Sequence, residues 1–142
     1  MKKVIKKVFQ ILLILFFLIS VAFAQVNYQQ RIEDEFNKVI VKGSQTFIGW
    51  EEGIKEEYGF KLILIKAKAH VIDQKDDGQY VLVLTGLEFI AQCINKDGQK
   101  VSVVRERLIE IIADKEGNIV DVRMYTEGPL KVIDGWDGKR EL

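Results

Sequence analysis

The chain has 142 residues, 30% of them charged, and its 21 basic and 21 acidic side chains cancel. One cysteine excludes an internal disulfide, and a single histidine beside it leaves no basis for a zinc site. Four of the basic residues fall in the first seven positions and no acid does, so residues 25–142 carry a net charge of −4. That sign gives no reason to expect nucleic acid or an anionic membrane surface as partner.

The N-terminal stretch has the order of a secretory leader. Lys2, Lys3, Lys6 and Lys7 precede an apolar run from Ile11 to Ile19, and Ala22-Phe23-Ala24 places small residues three and one before a cut. The pattern predicts a signal peptide over residues 1–24 and a mature chain beginning at Gln25, in the periplasm or outside the cell. The competing reading is membrane tethering by an uncleaved anchor, because Val8 to Ala24 is polar only at Gln10 and Ser20 and a spanning helix needs at least roughly 17 apolar residues. The Ala-x-Ala site favours cleavage, after which no stable membrane anchor remains. Residues 25–142 have the size of one domain. With no disulfide available, that domain must hold by packing. The Cys93 thiol either joins two chains or is buried and inert, and burial is the expectation.

Two helices are predicted next. Tyr28, Ile32, Phe36 and Val39/Ile40 recur at helical spacing, with Asn27 as N-cap and Gly43 as terminator. Phe47, Trp50, Ile54 and Tyr58 form a second apolar face that stops at Gly59. Gly49 and Gly53 weaken this helix by about 1 kcal/mol each relative to alanine. Glu51, Glu52, Lys55, Glu56 and Glu57 fall mostly on the opposite side and read as a solvated face.

From Phe60 the chain turns β-rich. Aliphatic stretches over 60–74, 79–95, 99–114 and 118–126 are separated by Asp76-Asp77-Gly78, Lys96-Asp97-Gly98 and Lys115-Glu116-Gly117. A polar residue, an acid and a glycine suit a three-residue hairpin loop that ends in the left-handed region. Three such loops predict a four-stranded antiparallel meander in which Lys75 faces Gln79, Asn95 faces Gln99 and Asp114 faces Asn118. Odd-numbered residues then share one apolar face that receives the helices, among them Ile63, Ile65, Ala67, Val83, Leu87, Phe89 and Cys93. Gly86 marks a bulge or bend within the second strand. Strands of about 15 residues would extend some 50 Å if flat and are expected to curl. The fold class is therefore α+β: one or two N-terminal helices (about 27–59) packed on a curled meander (about 60–126). A tail over 127–142 follows, in which Leu130–Ile133 adds a short edge after Gly128-Pro129.

Two helices, a Tyr58-Gly59 stop and a long curled meander resemble the cystatin-like and NTF2-like α+β rolls, many of them small exported bacterial proteins of unknown role. The likeness spans roughly residues 27–126 in element order and carries no signature motif. It implies a fold that hosts both pocket enzymes and binding modules.

No motif in the chain names a reaction. His70 and Cys93 are predicted on opposite faces, roughly 30 Å apart along the sheet, which excludes a Cys–His dyad. Ser44 and Ser102 lack a nucleophile-elbow context. Asp73, Asp76 and Asp77 fail calcium-loop spacing, because Lys75 and Leu84 occupy ligand positions. No metal or cofactor is expected. Two candidate sites remain. On the odd face Arg105, Arg107 and Arg123, with Tyr125 and Asp121 close, would rim a concave pocket for an anionic ligand. The competing reading pairs these arginines with Asp121 or solvent. On the even face Lys66, Glu88 and Glu106 form a cross-strand row near His70 and Glu110. His70, Glu88 and Glu110 would be the acid/base cluster of a carboxylate-dependent hydrolase or isomerase; the plainer reading is a solvated sheet face. The favoured function is an exported non-catalytic domain that binds a small molecule or a protein. A further expectation is a homo-oligomer formed through an exposed strand edge, which the short fourth strand would offer.

Overall fold

The computed structural model describes residues 26–134. The expected signal peptide and the loop around Trp136 lie outside the described residues. Helix α1 (Tyr28–Val39) and helix α2 (Gln45–Tyr58) precede β1 (Lys61–Asp76), β2 (Val81–Ile94), β3 (Lys100–Ala113), β4 (Ile119–Glu127) and β5 (Lys131–Asp134). The strands form one antiparallel sheet in the order β1-β2-β3-β4, and β5 pairs with β3 beyond the end of β4. The fold is the expected α+β arrangement of two helices and a four-stranded meander, with β5 as the added edge.

Local chemistry sets the helix ends. The Asn27 side chain accepts from the Gln30 N–H at 3.1 Å, and Ser44 Oγ accepts from the Phe47 N–H at 3.1 Å. Helix α2 stops at Gly59, whose φ of 71° is left-handed and whose N–H donates to the Lys55 carbonyl at 2.9 Å. Gly43 does not terminate α1: the helix closes at Ile40, and Gly43 lies in the turn before Ser44. Tyr28, Ile32, Ile40, Phe47 and Ile54 are buried against the sheet. Each fully buried isoleucine contributes roughly 1.5–3 kcal/mol relative to exposure. The glutamates of α2 are exposed, as a solvated face requires.

The hairpins test the loop reading one by one. Between β2 and β3 the register holds along the whole length, from Ile94 opposite Lys100 to Val81 opposite Ala113. Between β1 and β2 the chain turns at Gly78-Gln79 instead, because the Asp77 N–H bonds to the Tyr80 carbonyl at 3.0 Å. Bulges at Val71/Asp73 and Leu62/Leu64 then shift the pairing, so His70 lies opposite Gly86 and Lys68 opposite Glu88. Leu62 replaces Ile63 in the core as a result. The third hairpin begins as expected, with the Asp114 N–H bonded to the Asn118 carbonyl at 2.9 Å. A bulge between Ile119 and Asp121 then turns β4 over, and a second between Met124 and Thr126 turns it back, so that Glu127 lies opposite Arg107. Asp121, Arg123 and Tyr125 consequently leave the helix-covered face, and the rule that odd residues share one face fails there.

A second feature closes the outer edge of β1. Gln29, Glu33 and Asn37 stand one helical turn apart on α1, directly beside that edge. Asn37 accepts from the Ala67 N–H at 2.9 Å and donates to the Ala67 carbonyl at 3.0 Å. Glu33 accepts from the Ala69 N–H at 3.1 Å, and Gln29 from the Val71 N–H at 3.4 Å. Four helical residues rise about 6 Å and two strand residues about 6.6 Å, so the two repeats nearly coincide. Polar side chains of α1 take the place of a neighbouring strand.

Candidate functional site

The helix-covered face is filled along its centre, and a hollow of about 320 Å³ borders Arg105 at its margin, beside Trp50 and Leu130. Val83, Leu87, Phe89 and Ile109 are all buried in the hydrophobic core. Phe89 lies at its centre, edge-on to Phe36 with ring centroids 6.0 Å apart and tilted against Trp50 at 5.7 Å. Arg105 and Arg107 do project on this side. The Arg105 guanidinium lies 5.8 Å from the centre of the Trp50 ring, and that of Arg107 lies 4.9 Å from Phe89. Both reach Glu127: Arg105 Nη1 at 2.9 Å and Arg107 Nε at 3.1 Å. The Arg107 contact is close without an aligned N–H···O bond, and both arginine Nε atoms are buried and lack a hydrogen-bond partner. The carboxylate that meets the arginines is thus Glu127, not Asp121.

Arg123 and Tyr125 are elsewhere. The inverted β4 carries them to the open face, where the Tyr125 hydroxyl donates to Glu110 Oε2 at 3.0 Å and Arg123 Nη1 lies 3.8 Å from Glu110 Oε1. The Glu110 carboxylate beside it raises the Tyr125 phenol above its ordinary value. The four residues expected to rim one pocket therefore form two separate groups on opposite faces.

A hollow of about 450 Å³ lies on the open face. Its floor is Gly86, with His70 on one side and Leu108 on the other, and Thr126 beyond. The adjoining row runs Lys68, Glu88, Glu106, so Lys68 takes the place expected of Lys66. A side chain is missing where four neighbours rise, and the groove follows from that absence. A Cβ at Gly86 would meet only the Ile72 Cδ1 at 3.7 Å and the His70 carbonyl at 3.8 Å, both ordinary contacts. His70 and Glu88 line this groove. Glu110 does not: it pairs with Arg123 opposite Leu84, four residues from Glu88 along β2, or roughly 13 Å. The expected acid/base trio is not brought together. Glu88 and Glu106 face each other across the strands with Lys68 alongside, a mixed-charge surface suited to a ligand bearing both signs.

The other candidates resolve simply. His70 and Cys93 sit on opposite faces, with Gly86 and Cys93 seven residues apart along β2, or roughly 23 Å. Burial pushes the Cys93 thiol up to about 11. Thiolate is therefore scarce at neutral pH, and the sulfur is enclosed. Among the described residues no group of three or more His, Cys, Asp or Glu side chains gathers as metal ligands, and no helix is long and apolar enough to cross a membrane.

No protein-family model, curated protein or solved structure matches this chain. The likeness to cystatin-like and NTF2-like rolls rests on the order of elements alone. Two functional groupings escaped the sequence reading. Glu127 was legible, since a three-residue loop at Lys115-Glu116-Gly117 places it opposite Arg105 once the fourth strand is extended by one residue. The Gln29-Glu33-Asn37 row was not, because polar residues four apart on a helix read as a solvated face.

Proposed function

We propose that this protein is an exported binding domain without a catalytic centre, which takes its ligand on the open face of the sheet over Gly86. The observation that carries this reading is a contrast in packing. The helix-covered side is filled at Val83, Leu87, Phe89 and Ile109, while a hollow lies on the other face between Lys68, His70, Glu88 and Glu106. A volume of about 450 Å³ is within the range of small-ligand clefts. Its walls offer a cation, an imidazole and two carboxylates around Gly86 and the half-buried Leu108. These groups suit an extended ligand with both an ammonium and a carboxylate, such as a short peptide. The order of Lys2–Lys7, the apolar run and Ala22-Phe23-Ala24 supports export to the periplasm or beyond.

Two measurements test this. The intact mass of the protein recovered from its host should correspond to a chain starting at Gln25; a full-length mass would replace export and release with tethering. A screen of short zwitterionic peptides by amide chemical shifts should move His70, Gly86, Glu88 and Leu108. Gly86→Leu, which fills the hollow, should abolish those shifts. Hits that cluster at Trp50 and Arg105, or that survive Gly86→Leu, would overturn the groove as the binding site.

A further inference from the structure

We infer that β4 pairs with β4 of a second copy, antiparallel and centred on Val122, so that one sheet runs through two molecules. Backbone alternation decides which groups of β4 face outward. The Asn95–Gln99 bond aims odd-numbered residues of β3 at β2, and the Asp114–Asn118 bond aims even-numbered ones at β4. Asp121 and Arg123, opposite Ile112 and Glu110, therefore bond inward. Val122 and Met124 turn their N–H and C=O outward, where no strand lies among the described residues. The Val122 N–H is satisfied only locally, by the Asp121 carboxylate at 2.9 Å. The exposed row is apolar: Val120, Val122 and Met124 are 54%, 43% and 58% accessible.

The residues around Val122 select the occupant. Asp121 and Arg123 flank it, and Val120 and Met124 lie one position further out. In an antiparallel pair centred on Val122, Asp121 faces the partner's Arg123 in both halves, and Val120 faces the partner's Met124. The charged pairs fall at non-hydrogen-bonded positions, where side chains approach most closely. Centring on Arg123 or Asp121 instead opposes like charges, and a one-residue slip sets Val122 against Arg123. One register alone is complementary, and a two-fold axis generates it from a single strand. A nine-residue edge is short, so the dimer is a weak one.

The test uses the chain expressed with its own N-terminal segment and recovered as the host processes it. Sedimentation from about 1 µM to 1 mM should show the mass rising toward twice the monomer. Asp121→Arg and Arg123→Asp each turn both pairs repulsive, and each variant alone should self-associate at least about tenfold more weakly. An equimolar mixture of the two restores every opposite-charge pair and should dimerise as the native chain does. Both positions are exposed, and thermal melts confirm that each variant is folded before mixing. Three results would each overturn the proposal: a native chain that stays monomeric throughout, single variants that dimerise undiminished, or a mixture no tighter than its components.

Discussion

Along β1, the outward N–H groups from Ala67 to Val71 end on side chains of α1; along β4, the outward groups of Val122 and Met124 meet no other strand among the described residues. Both strands are edges of the same sheet and carry the same liability. One is closed by Gln29, Glu33 and Asn37 at the cost of committing a whole helix face. The other is left open and flanked by an acid and a base. A helix's polar stripe can therefore be structural, and an exposed apolar strand can be the interactive surface.

Removing the element that closes β1 breaks the contrast most directly. Ile32 is fully buried and anchors α1, so Ile32→Ala should lower stability by about 2–5 kcal/mol in urea unfolding. It should also create a second route to self-association, through β1. A variant that loses stability yet stays as soluble as the native chain would show that the β1 edge needs no cover.

A smaller lesion separates the cap from the helix. Asn37→Leu keeps the bulk but strands the Ala67 N–H and carbonyl, at about 1–3 kcal/mol. Hydrogen exchange at Ala67 should accelerate while exchange at Ile109 and Ile111, inside the sheet, changes less. Unaltered protection at Ala67 would mean that the amide does not close the edge.

Acid should act on the tie between the two halves. Asp76 at the end of β1 is ion-paired with Lys115 in the loop before β4, and that lysine holds its carboxyl below the usual value. Asp114 is lowered likewise, first by the Asn118 N–H. A depressed carboxyl contributes stability above its unfolded value of 3.8 and loses it as pH falls through the lower folded value. Amide shifts of Gly78, Glu116 and Asn118 should therefore titrate with midpoints below 3.8. Midpoints at or above that value would remove these hydrogen bonds from the solution structure.

The least perturbing change is at the open edge. Met124→Thr should alter monomer stability by no more than about 0.5 kcal/mol, since Met124 is exposed. A larger loss in urea unfolding would mean that β4's outer side supports the fold and is not free for a partner.

The parts of this fold that were legible in the sequence are those set by neighbours in the chain. Asn27 and Ser44 precede helices with side chains that cap them, and Gly59 ends one; of these, Asn27 and Gly59 were anticipated. Lys96-Asp97-Gly98 defined the β2–β3 register along its full length. Misreadings came where a strand's twist inserts an extra residue. The bulges at Leu62/Leu64, Val71/Asp73, Ile119/Asp121 and Met124/Thr126 depend on how the sheet curls under the helices, and no local pattern announces them. One such residue, near Val120, was enough to divide the expected arginine site between two faces. Gly86 was expected to mark a bulge or bend, but β2 passes through it in unbroken register with β3, and its role as the floor of a groove depends on Lys68, His70 and Glu106 standing around it.

The row of α1 side chains along β1 works as a vernier. Its two scales differ by about 0.6 Å per division, and the contacts measure 2.9, 3.1 and 3.4 Å from Ala67 to Val71. The row ends where β1 bulges, between Val71 and Asp73. The length of edge that a helix can guard in this way is limited by the mismatch of the two repeats.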